Sequence, residues 1–238
     1  MRSRVASELR PGSERGESVE KSSVSRLAVL ISGRGSNLGA LVQASLPARI
    51  VVVISNRPDA AGLAIARAAG IEALVMPHTD HATRDDYDRA LVAALRARGV
   101  TLVCLAGFMR RLGHFFCDAF AQAILNVHPS LLPAFPGADA QGQAIAHGVT
   151  VTGVTVHFVT PELDAGPIVS QAAVPVEPGD SRETLAARIL VEEHRVFPEA
   201  VTRVLGGGWR IEGRRVVWSP LHARAGVPGS PERGASPT

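Results

Sequence analysis

Residues 27–42 read Leu-Ala-Val-Leu-Ile-Ser-Gly-Arg-Gly-Ser-Asn-Leu-Gly-Ala-Leu-Val, and this stretch decides the fold. Five apolar residues form a run of strand length, a glycine-rich turn follows at residues 32–37, and an apolar segment then begins a helix. A buried strand that passes through a tight turn into a helix is typical of a parallel α/β sheet. The turn exposes backbone N–H groups at the positive end of the helix dipole, so it predicts an anion site.

Two common nucleotide-binding loops do not fit this turn. A Walker loop would continue into Gly-Lys-Ser/Thr, which is absent here. The dinucleotide fingerprint would place a small residue three positions after Gly35, where Leu38 stands. It would also place an acidic residue at the end of the next strand, where Asn56 and Arg57 stand. A loop that holds a single phosphate is therefore the better interpretation.

The single-phosphate interpretation carries a local prediction about the start of the helix. Ser36 or Asn37 would cap the helix and add side-chain donors for the anion. A plain tight turn that binds no ligand is the alternative that these residues leave open.

Beyond the turn, apolar runs of strand length alternate with segments of helical periodicity. This alternation predicts an α/β fold with a doubly wound, mostly parallel sheet and helices on both faces. We expect one domain over residues 26–218 that ends in a small hairpin, and a ligand site beyond the carboxyl ends of the strands. The later strands are predicted at residues 49–55, 71–76, 101–106, 123–127, 151–159, 168–176 and 209–218 (the hairpin), and the later helices at 60–69, 85–98, 113–120, 139–147 and 181–205.

The composition restricts the partners of the chain. Hydrophobic residues make up 46% of its 238 residues, which is enough for a large core, and the net charge is only +3. Basic and acidic residues are interspersed without a Lys/Arg block, so we predict no nucleic-acid partner. Cys104 lies in an apolar run, where a reduced core thiol and a cytosolic compartment are expected. His78 and His81 lack a third ligand, so we predict no metal.

The two ends of the chain differ from its middle. Residues 1–25 are rich in Ser, Glu, Arg and Gly, and residues 219–238 contain several prolines and few large apolar side chains. We expect a disordered leader and a flexible tail. The leader has no long apolar segment, so we predict neither a signal peptide nor a membrane span, and a cytoplasmic protein.

A second informative stretch, residues 124–133, reads Ile-Leu-Asn-Val-His-Pro-Ser-Leu-Leu-Pro. It predicts a short buried strand that ends in a loop stiffened by prolines. Because strand side chains alternate, Asn126 and His128 point the same way. A carboxamide can hold a carbonyl oxygen, and an imidazole can move a proton near neutral pH. The pair therefore predicts acid–base chemistry on a carbonyl group.

A carboxylate that completes this pair is expected at Asp164, which lies in a Gly-Pro turn just after a strand. Its charge would favour the imidazolium form of His128 and orient the ring. A local backbone cap is the alternative role for an acid in such a turn. With no convincing serine or cysteine nucleophile nearby, the residues indicate group transfer to a nucleophile that a substrate supplies. They do not name the group.

Taken together, several segments resemble the folate-dependent formyltransferases of purine biosynthesis. The resemblance runs from residue 27 to about residue 205. It rests on the segments at residues 31–38, 54–57, 105–110, 125–133, 135–137, 153–159 and 163–164, in this order.

The resemblance implies a Rossmann-like formyltransferase fold and a reaction. In this reaction 10-formyltetrahydrofolate, a co-substrate, gives its formyl group to the amine of phosphoribosylglycinamide, and no metal takes part. Asn126 would orient the formyl oxygen, His128 would donate a proton, and Asp164 would keep that histidine protonated. The implied partners are small molecules, with a monomer or a homodimer both open.

The resemblance also implies the binding residues. Glu193 and His194 match a pair near the ribose, although Glu193 could equally cap a polar patch on its own helix. The family often has a hydrophobic residue where Arg111 stands, and residues 138–141 replace a segment often richer in histidine. The implied phosphate-binding residues are Gly35, Ser36 and Asn37, and the implied folate-binding residues are Arg84, Met109, Arg110, Arg111, Leu112 and Asn126.

Three other functions compete with this one. A formyltransferase that acts on initiator methionyl-tRNA would need an added nucleic-acid domain after residue 205, where we expect only a hairpin and a tail. A formyltetrahydrofolate hydrolase would usually carry a regulatory domain before the catalytic one, which a short leader cannot form. A non-catalytic folate- or nucleotide-binding module would not need Asn126, His128 and Asp164 together.

Overall fold

The computed structural model describes residues 24–219, and nine strands within this range form one sheet. The expected leader and tail lie outside this range, apart from their innermost residues. The strands are β1 (Ser25–Ile31), β2 (Ala48–Ser55), β3 (Glu72–Val75), β4 (Leu102–Leu105), β5 (Ile124–His128), β6 (Val151–Phe158), β7 (Ile168–Pro175), β8 (Trp209–Glu212) and β9 (Arg215–Trp218). The helices are α1 (Ser36–Gln43), α2 (Gly62–Ala68), α3 (Arg84–Arg96), α4 (His114–Ala119), α5 (Ala140–Ala146) and α6 (Arg182–Leu205), with a 3-10 turn at His78–Asp80.

The first five strands form the parallel half of the sheet, in the order β3-β2-β1-β4-β5. The chain winds outward from β1 to β3 and then crosses back to β4, so the strand order reverses between β1 and β4. Ligands of such sheets bind beyond the carboxyl ends of the strands at this reversal. The apolar residues 27–31 are fully buried, because helices cover both faces of the sheet. The predicted doubly wound α/β fold is confirmed.

The second half of the sheet changes direction. β6 pairs with β5 in the antiparallel sense, which places His157 directly opposite Asn126. β7 is antiparallel to β6, and the terminal hairpin of β8 and β9 extends the sheet through one parallel pairing with β7. The predicted hairpin is therefore present, and it belongs to the main sheet.

Two apolar layers hold the sheet between the helices. One layer packs α1, α2 and α6 against one face, and the other packs α3 and α4 against the opposite face. Cys104 and Cys117 are free, buried thiols within these layers. Burial raises the pKa of the Cys104 thiol to about 12 and that of Cys117 to about 11. Both thiols are therefore un-ionised at neutral pH, as expected of core residues.

The helix predicted at residues 60–69 is shorter in the structure, because tertiary contacts fix where it begins. The helix α2 begins only at Gly62, whose N–H donates to the Gly33 carbonyl at 3.0 Å. An added Cβ at Gly62 would lie 2.6 Å from the Ile31 side chain and 3.0 Å from the Gly35 backbone. The start of α2 is therefore fixed by its contact with the turn after β1.

The longest helix, α6, is amphipathic and covers one face of the sheet. Ser181 and Thr184 form a reciprocal capping box at its start, as the predicted start near residue 181 requires. Its buried side includes Leu185, Ile189 and Val196, which pack on the sheet, while its other side carries charged residues. No helix within residues 24–219 is long and apolar enough to cross a membrane.

Candidate active site

Three loops meet where the strand order reverses. Residues 32–35 follow β1, residues 106–113 follow β4 and residues 129–139 follow β5. The expected phosphate loop, the expected folate-binding residues 109–112 (the folate segment) and the Asn126/His128 pair therefore share one edge of the sheet. The alternation of strands and helices predicts this shared location, beyond the carboxyl ends of the strands.

The β5 strand presents Asn126 and His128 toward the same face. Leu125 and Val127 point the other way and pack in the core, so the alternation follows the predicted pattern. The loop after β5 is tied down, because the Leu132 N–H donates to the Thr155 hydroxyl at 3.0 Å. The imidazole of His128 is consequently held at the end of a rigid strand.

The Asp164 carboxylate reaches this pair from the loop between β6 and β7. Its Oδ2 lies 3.5 Å from Nδ1 of His128, and only 10% of its side chain is exposed. The Gly137 N–H donates to the same oxygen at 2.8 Å, so Asp164 also fixes the loop after β5. Gly166 sets the course of the Asp164 loop, because any side chain there would overlap the Phe158 carbonyl. Asp164 thus contacts His128 as expected, and its backbone partner is Gly137, 27 residues away, in place of the local cap that was the alternative.

The contacts of His128 account for both of its ring nitrogens. Nε2 lies 2.9 Å from the Phe135 carbonyl oxygen, and Nδ1 faces the Asp164 carboxylate. Neither oxygen carries a hydrogen, so the two N–H groups of a protonated imidazole are the donors that match this arrangement. His128 is only 5% exposed, and it does not itself line the cleft that Asp164 lines.

His157 is a site residue that the sequence did not single out. Its Nε2 lies 3.1 Å from Nδ2 of Asn126 and 3.7 Å from Oδ1 of Asp164. Its Nδ1 lies 2.8 Å from the Phe158 carbonyl, so Nδ1 is the protonated nitrogen and Nε2 accepts from Asn126. Burial lowers the pKa of His157, against the opposing effects of the Phe158 carbonyl and Asp164. A neutral His157 therefore accepts one hydrogen of the Asn126 amide group and orients that group. The second amide hydrogen of Asn126 remains free.

A cleft of about 100 Å³ opens beside this cluster. The cleft is lined by Asn126, His157 and Asp164. Three of the expected folate residues form part of its wall, namely Arg110, Arg111 and Leu112. The structure therefore brings most of the expected folate segment next to the catalytic candidates. We call this space the Asn126 cleft.

Two expected folate residues lie outside the Asn126 cleft. Met109 lines the neighbouring cavity beside the turn after β1, and its side chain is 75% exposed. Arg84 is the first residue of α3, and its guanidinium lies beside Gly113 at the end of the folate segment. A folate-sized ligand would therefore have to extend past Gly113 to meet Arg84.

The turn after β1 borders a second, larger cavity of about 660 Å³, which we call the loop cavity. Gly35 is the N-cap of α1, in the left-handed conformation with φ 77°, and no side chain caps the helix. The prediction that Ser36 or Asn37 caps α1 is wrong, because the Asn37 side chain turns inward to another partner. The first N–H groups of α1 consequently have no acceptor within the helix and remain available to an anion.

That partner of Asn37 is Glu193 on α6. Asn37 Nδ2 donates to Glu193 Oε2 at 2.6 Å, and both side chains are largely buried beside the loop cavity. Burial raises the pKa of Glu193, although the contact with Asn37 opposes this shift. Asn37 Oδ1 is buried without a hydrogen-bond partner. Glu193 therefore joins α6 to the loop, rather than capping a polar patch on its own helix.

The segment at residues 138–141 forms the start of α5. Asp139 has φ 57° and caps α5 by accepting from the Gly142 N–H at 3.2 Å. Its carboxylate also pairs with Arg182 of α6 at 2.8 Å. Gln141 lines the loop cavity. This segment thus closes one side of the site with a helix cap and an ion pair.

Metal coordination finds no support in the described part of the chain. Within residues 24–219, no group of three or more His, Cys, Asp or Glu residues is arranged to hold an ion. His78 instead lies 3.4 Å from the Asn56 amide through Nδ1, and His81 packs edge-on against Tyr87. Each of these two histidines therefore contacts another side chain.

A doubly wound sheet that carries Asn126, His128 and Asp164 at its switch point defines an α/β enzyme of the acid–base, group-transfer class. Comparison with known proteins then makes the assignment specific. The family model described as formyl transferase matches residues 25–201, and the chain belongs to this family.

The similar proteins include formyltransferases that act on phosphoribosylglycinamide and a trifunctional protein of purine biosynthesis. A crystal structure of glycinamide ribonucleotide transformylase 1 from Symbiobacterium toebii superposes with a TM-score of 0.82 at 51% identity, over 86% of this chain and 99% of that one. Phosphoribosylglycinamide formyltransferase of Escherichia coli K12 is 41% identical over 192 residues, which is 79% of this chain and 88% of that protein. The trifunctional purine biosynthetic protein adenosine-3 of Bos taurus is 45% identical over 199 residues, 82% of this chain. The chain spans about a fifth of the length of such trifunctional relatives.

Proposed function

We propose that this chain transfers the formyl group of 10-formyltetrahydrofolate to the amine of N1-(5-phosphoribosyl)glycinamide. The products are the N-formyl compound and tetrahydrofolate, and the reaction belongs to de novo purine (IMP) biosynthesis. The observation that carries this proposal is the 3.5 Å contact between Asp164 and His128, where Asp164 and Asn126 line the same cleft. Relatives that match 86% and 79% of this chain and bear this activity in their names support it.

The transfer is direct. The amine lone pair attacks the formyl carbon, a C–N bond forms, and the carbonyl electrons move to the oxygen. Asn126 donates its free N–H to that oxygen and the protonated His128 stabilises the charge. Collapse of the intermediate breaks the bond to N10 of the folate, which gains a proton as the former amine loses one. The pair of His128 and Asp164 carries this proton.

His128 acts from its Nδ1 edge. The Nδ1–Asp164 separation of 3.5 Å exceeds the usual hydrogen-bond range, so Asp164 does not saturate this N–H, which can also donate to a second acceptor. The Asp164 carboxylate stabilises the positive charge of the ring. The neutral His157 fixes the Asn126 amide from the other side.

Each cavity receives one substrate. The loop cavity takes the phosphoribosyl substrate, with the phosphate at Gly35, Ser36 and the free N–H groups of α1. Arg34 and Arg57 also line this cavity and add positive charge. The Asn126 cleft takes the folate ring, which places the formyl group over the Asn126 amide.

The assay that tests the proposal compares three acceptors with 10-formyltetrahydrofolate as the donor: phosphoribosylglycinamide, initiator methionyl-tRNA and water. We expect turnover with the first and none with the other two above background. Turnover of the tRNA, or hydrolysis that equals the rate of transfer, would contradict the proposal. Binding of both ligands without turnover would favour the non-catalytic module.

A further inference from the structure

A buried hydroxyl of the loop cavity contacts the segment that leads into the wall of the Asn126 cleft. Ser32, at the end of β1, accepts from the Met109 N–H at 2.8 Å and donates to Oδ1 of Asn56 at 2.6 Å. Its own N–H donates to the Gly107 carbonyl at 3.2 Å. Ser32 and Asn56 are both only 5% exposed. One side chain therefore ties the ends of β1, β2 and β4 together.

This hydroxyl belongs to the lining of the loop cavity, and its donor Met109 immediately precedes three residues that line the Asn126 cleft. Ser32 begins the turn at residues 32–35, which borders the loop cavity. Met109 begins the segment that continues through residues 110–112 along the Asn126 cleft. A shift of Ser32 consequently moves both walls at once.

Met109 depends on this contact because its own side chain packs little. Phe108 is buried in the core and anchors the segment from one side, whereas Met109 is 75% exposed, so the backbone at Met109 is held by hydrogen bonding. The two hydrogen bonds to Ser32 are the long-range backbone contacts of residues 107–109. Loss of the hydroxyl would release the Met109 N–H and the neighbouring wall of the cleft.

Asn56 fixes the direction of the hydroxyl. Because its Oδ1 accepts the Ser32 proton, the hydroxyl lone pair is left for the Met109 N–H. The Asn56 amide group in turn faces Nδ1 of His78 at 3.4 Å. Asn56 thus determines that the Ser32 hydroxyl donates to Asn56 and accepts from Met109.

We propose that Ser32 and Asn56 are positioning residues that couple the two substrate sites, so that occupancy of the loop cavity aligns the cleft segment for the folate. The inference rests on the proposed function, because it assigns one substrate to each cavity. A ligand held by the turn restricts Ser32, and Ser32 restricts Met109 through the hydrogen bond. Binding of each ligand therefore strengthens binding of the other.

The experiment measures the dissociation constant of tetrahydrofolate by calorimetry, with and without saturating phosphoribosylglycinamide. Tetrahydrofolate carries no formyl group, so no turnover disturbs the titration. In the unaltered protein we expect the second ligand to tighten binding by about 5-fold or more. In Ser32→Ala this ratio falls to about 1, because the hydroxyl that links the walls is gone.

Two further variants keep the test sharp. Ser32→Thr keeps a hydroxyl and should restore most of the ratio, whereas a merely structural role would show no such rescue. Ser45→Ala removes an exposed hydroxyl just after α1 and should leave the ratio unchanged. If Ser32→Ala does not fold, Asn56→Ala removes the acceptor of the hydroxyl and should lower the ratio in its place.

Two outcomes overturn the inference. A ratio that stays at the unaltered value in both Ser32→Ala and Asn56→Ala excludes coupling through this bridge, and a ratio of 1 in the unaltered protein excludes coupling altogether. Either result leaves the proposed reaction standing if transfer is observed. Failure of both ligands to bind the unaltered protein would remove the proposed function and this inference together.

Discussion

Asp164 holds two partners from a backbone conformation with φ 49°, a region that aspartate enters more readily than most side chains. Its Oδ2 accepts from Gly137 and faces His128, while its Oδ1 lies toward His157. A charge in this position serves the protonated His128, whereas the backbone contact with Gly137 needs only an oxygen. These two roles can therefore be separated by one substitution.

Asp164→Asn should lower kcat by roughly 10²–10⁴, the usual contribution of acid–base catalysis. The amide keeps an oxygen for the Gly137 N–H, so we expect the fold to remain intact. The measurement is steady-state formyl transfer, together with the melting temperature.

Asp118→Asn supplies a matched control, since Asp118 is exposed on α4 and lines neither cavity. It should change neither quantity. Activity of Asp164→Asn within a few-fold of the unaltered protein would refute the catalytic role.

At the scale of elements, the turn between β1 and α1 is shaped by the neighbouring α2. Gly35 has φ 77°, and an added Cβ would lie 2.5 Å from the Gly62 Cα. Gly39, four residues further along α1, has nothing within 4 Å of an added Cβ. Gly35 is therefore required because the Gly62 backbone approaches it closely, whereas Gly39 has room for a side chain.

Gly35→Ala should weaken binding of the phosphorylated substrate and lower the melting temperature. The reason is that the left-handed backbone and the close contact with Gly62 leave no room for a side chain. Gly39→Ala should keep the affinity and stabilise α1 by about 0.5–1 kcal/mol. Calorimetric titration and thermal unfolding of both variants measure these effects. Unchanged substrate affinity in Gly35→Ala would rule out a phosphate loop.

The link between α1 and α6 depends on Asn37 and Glu193. Asn37→Ala would leave the Glu193 carboxylate buried without its donor, at a cost of about 1–3 kcal/mol. We therefore expect a lower free energy of unfolding and a higher KM for the phosphorylated substrate, since Glu193 lines the loop cavity. Denaturant unfolding and kinetics give the two values. Equal stability in Asn37→Ala and in the exposed control Ser45→Ala would show that the link is not stabilising.

At the scale of the whole molecule, buried titratable groups make stability depend on pH. Burial lowers the pKa of His157 and of His194. The unfolded chain therefore binds more protons than the folded one as pH falls below the ordinary histidine pKa of ~6.5, and stability declines there. Burial raises the pKa of Glu193 and of Asp88, so their protonation opposes this decline as pH approaches the carboxyl range.

His157→Phe isolates one of these contributions. The variant should lose less stability than the unaltered protein between pH 7 and pH 5.5, by at most about 1.4 kcal/mol per pH unit for a single histidine. His128 and Asp164 face His157 in both pH conditions, and the variant is compared with the unaltered protein at each pH. Chemical unfolding at the two pH values measures the difference. Parallel stability curves would show that His157 does not titrate differently on folding.

Much of this molecule was predictable from local pattern. The apolar run at residues 27–31, the glycine turn and the alternation of later segments define the doubly wound sheet, because buried parallel strands and amphipathic helices each leave a periodic signal. The Asn126/His128 pair follows from strand alternation. The folate-binding residues 110–112 came from family resemblance, and spacing alone did not supply them. Asp164 was expected as the partner of His128 from its turn after a strand, with a local backbone cap as the alternative.

Other features needed the folded chain. The prediction that Ser36 or Asn37 caps α1 was wrong because Glu193, which is 156 residues from Asn37, takes the Asn37 amide. His157 carried no distinctive local signal, since its role depends on the antiparallel register of β5 and β6. The bridge from Ser32 to Met109 likewise joins residues 77 apart.

By itself the sequence determined the fold class, the glycine turn and the direction of the Asn126 and His128 side chains, because each depends on a few consecutive residues. Tertiary structure decided the contacts between distant residues: Asp164 with His128, His157 with Asn126, and Ser32 with Met109. The physical reason is that strand register and loop approach are set by packing of the whole sheet, and local periodicity does not encode them.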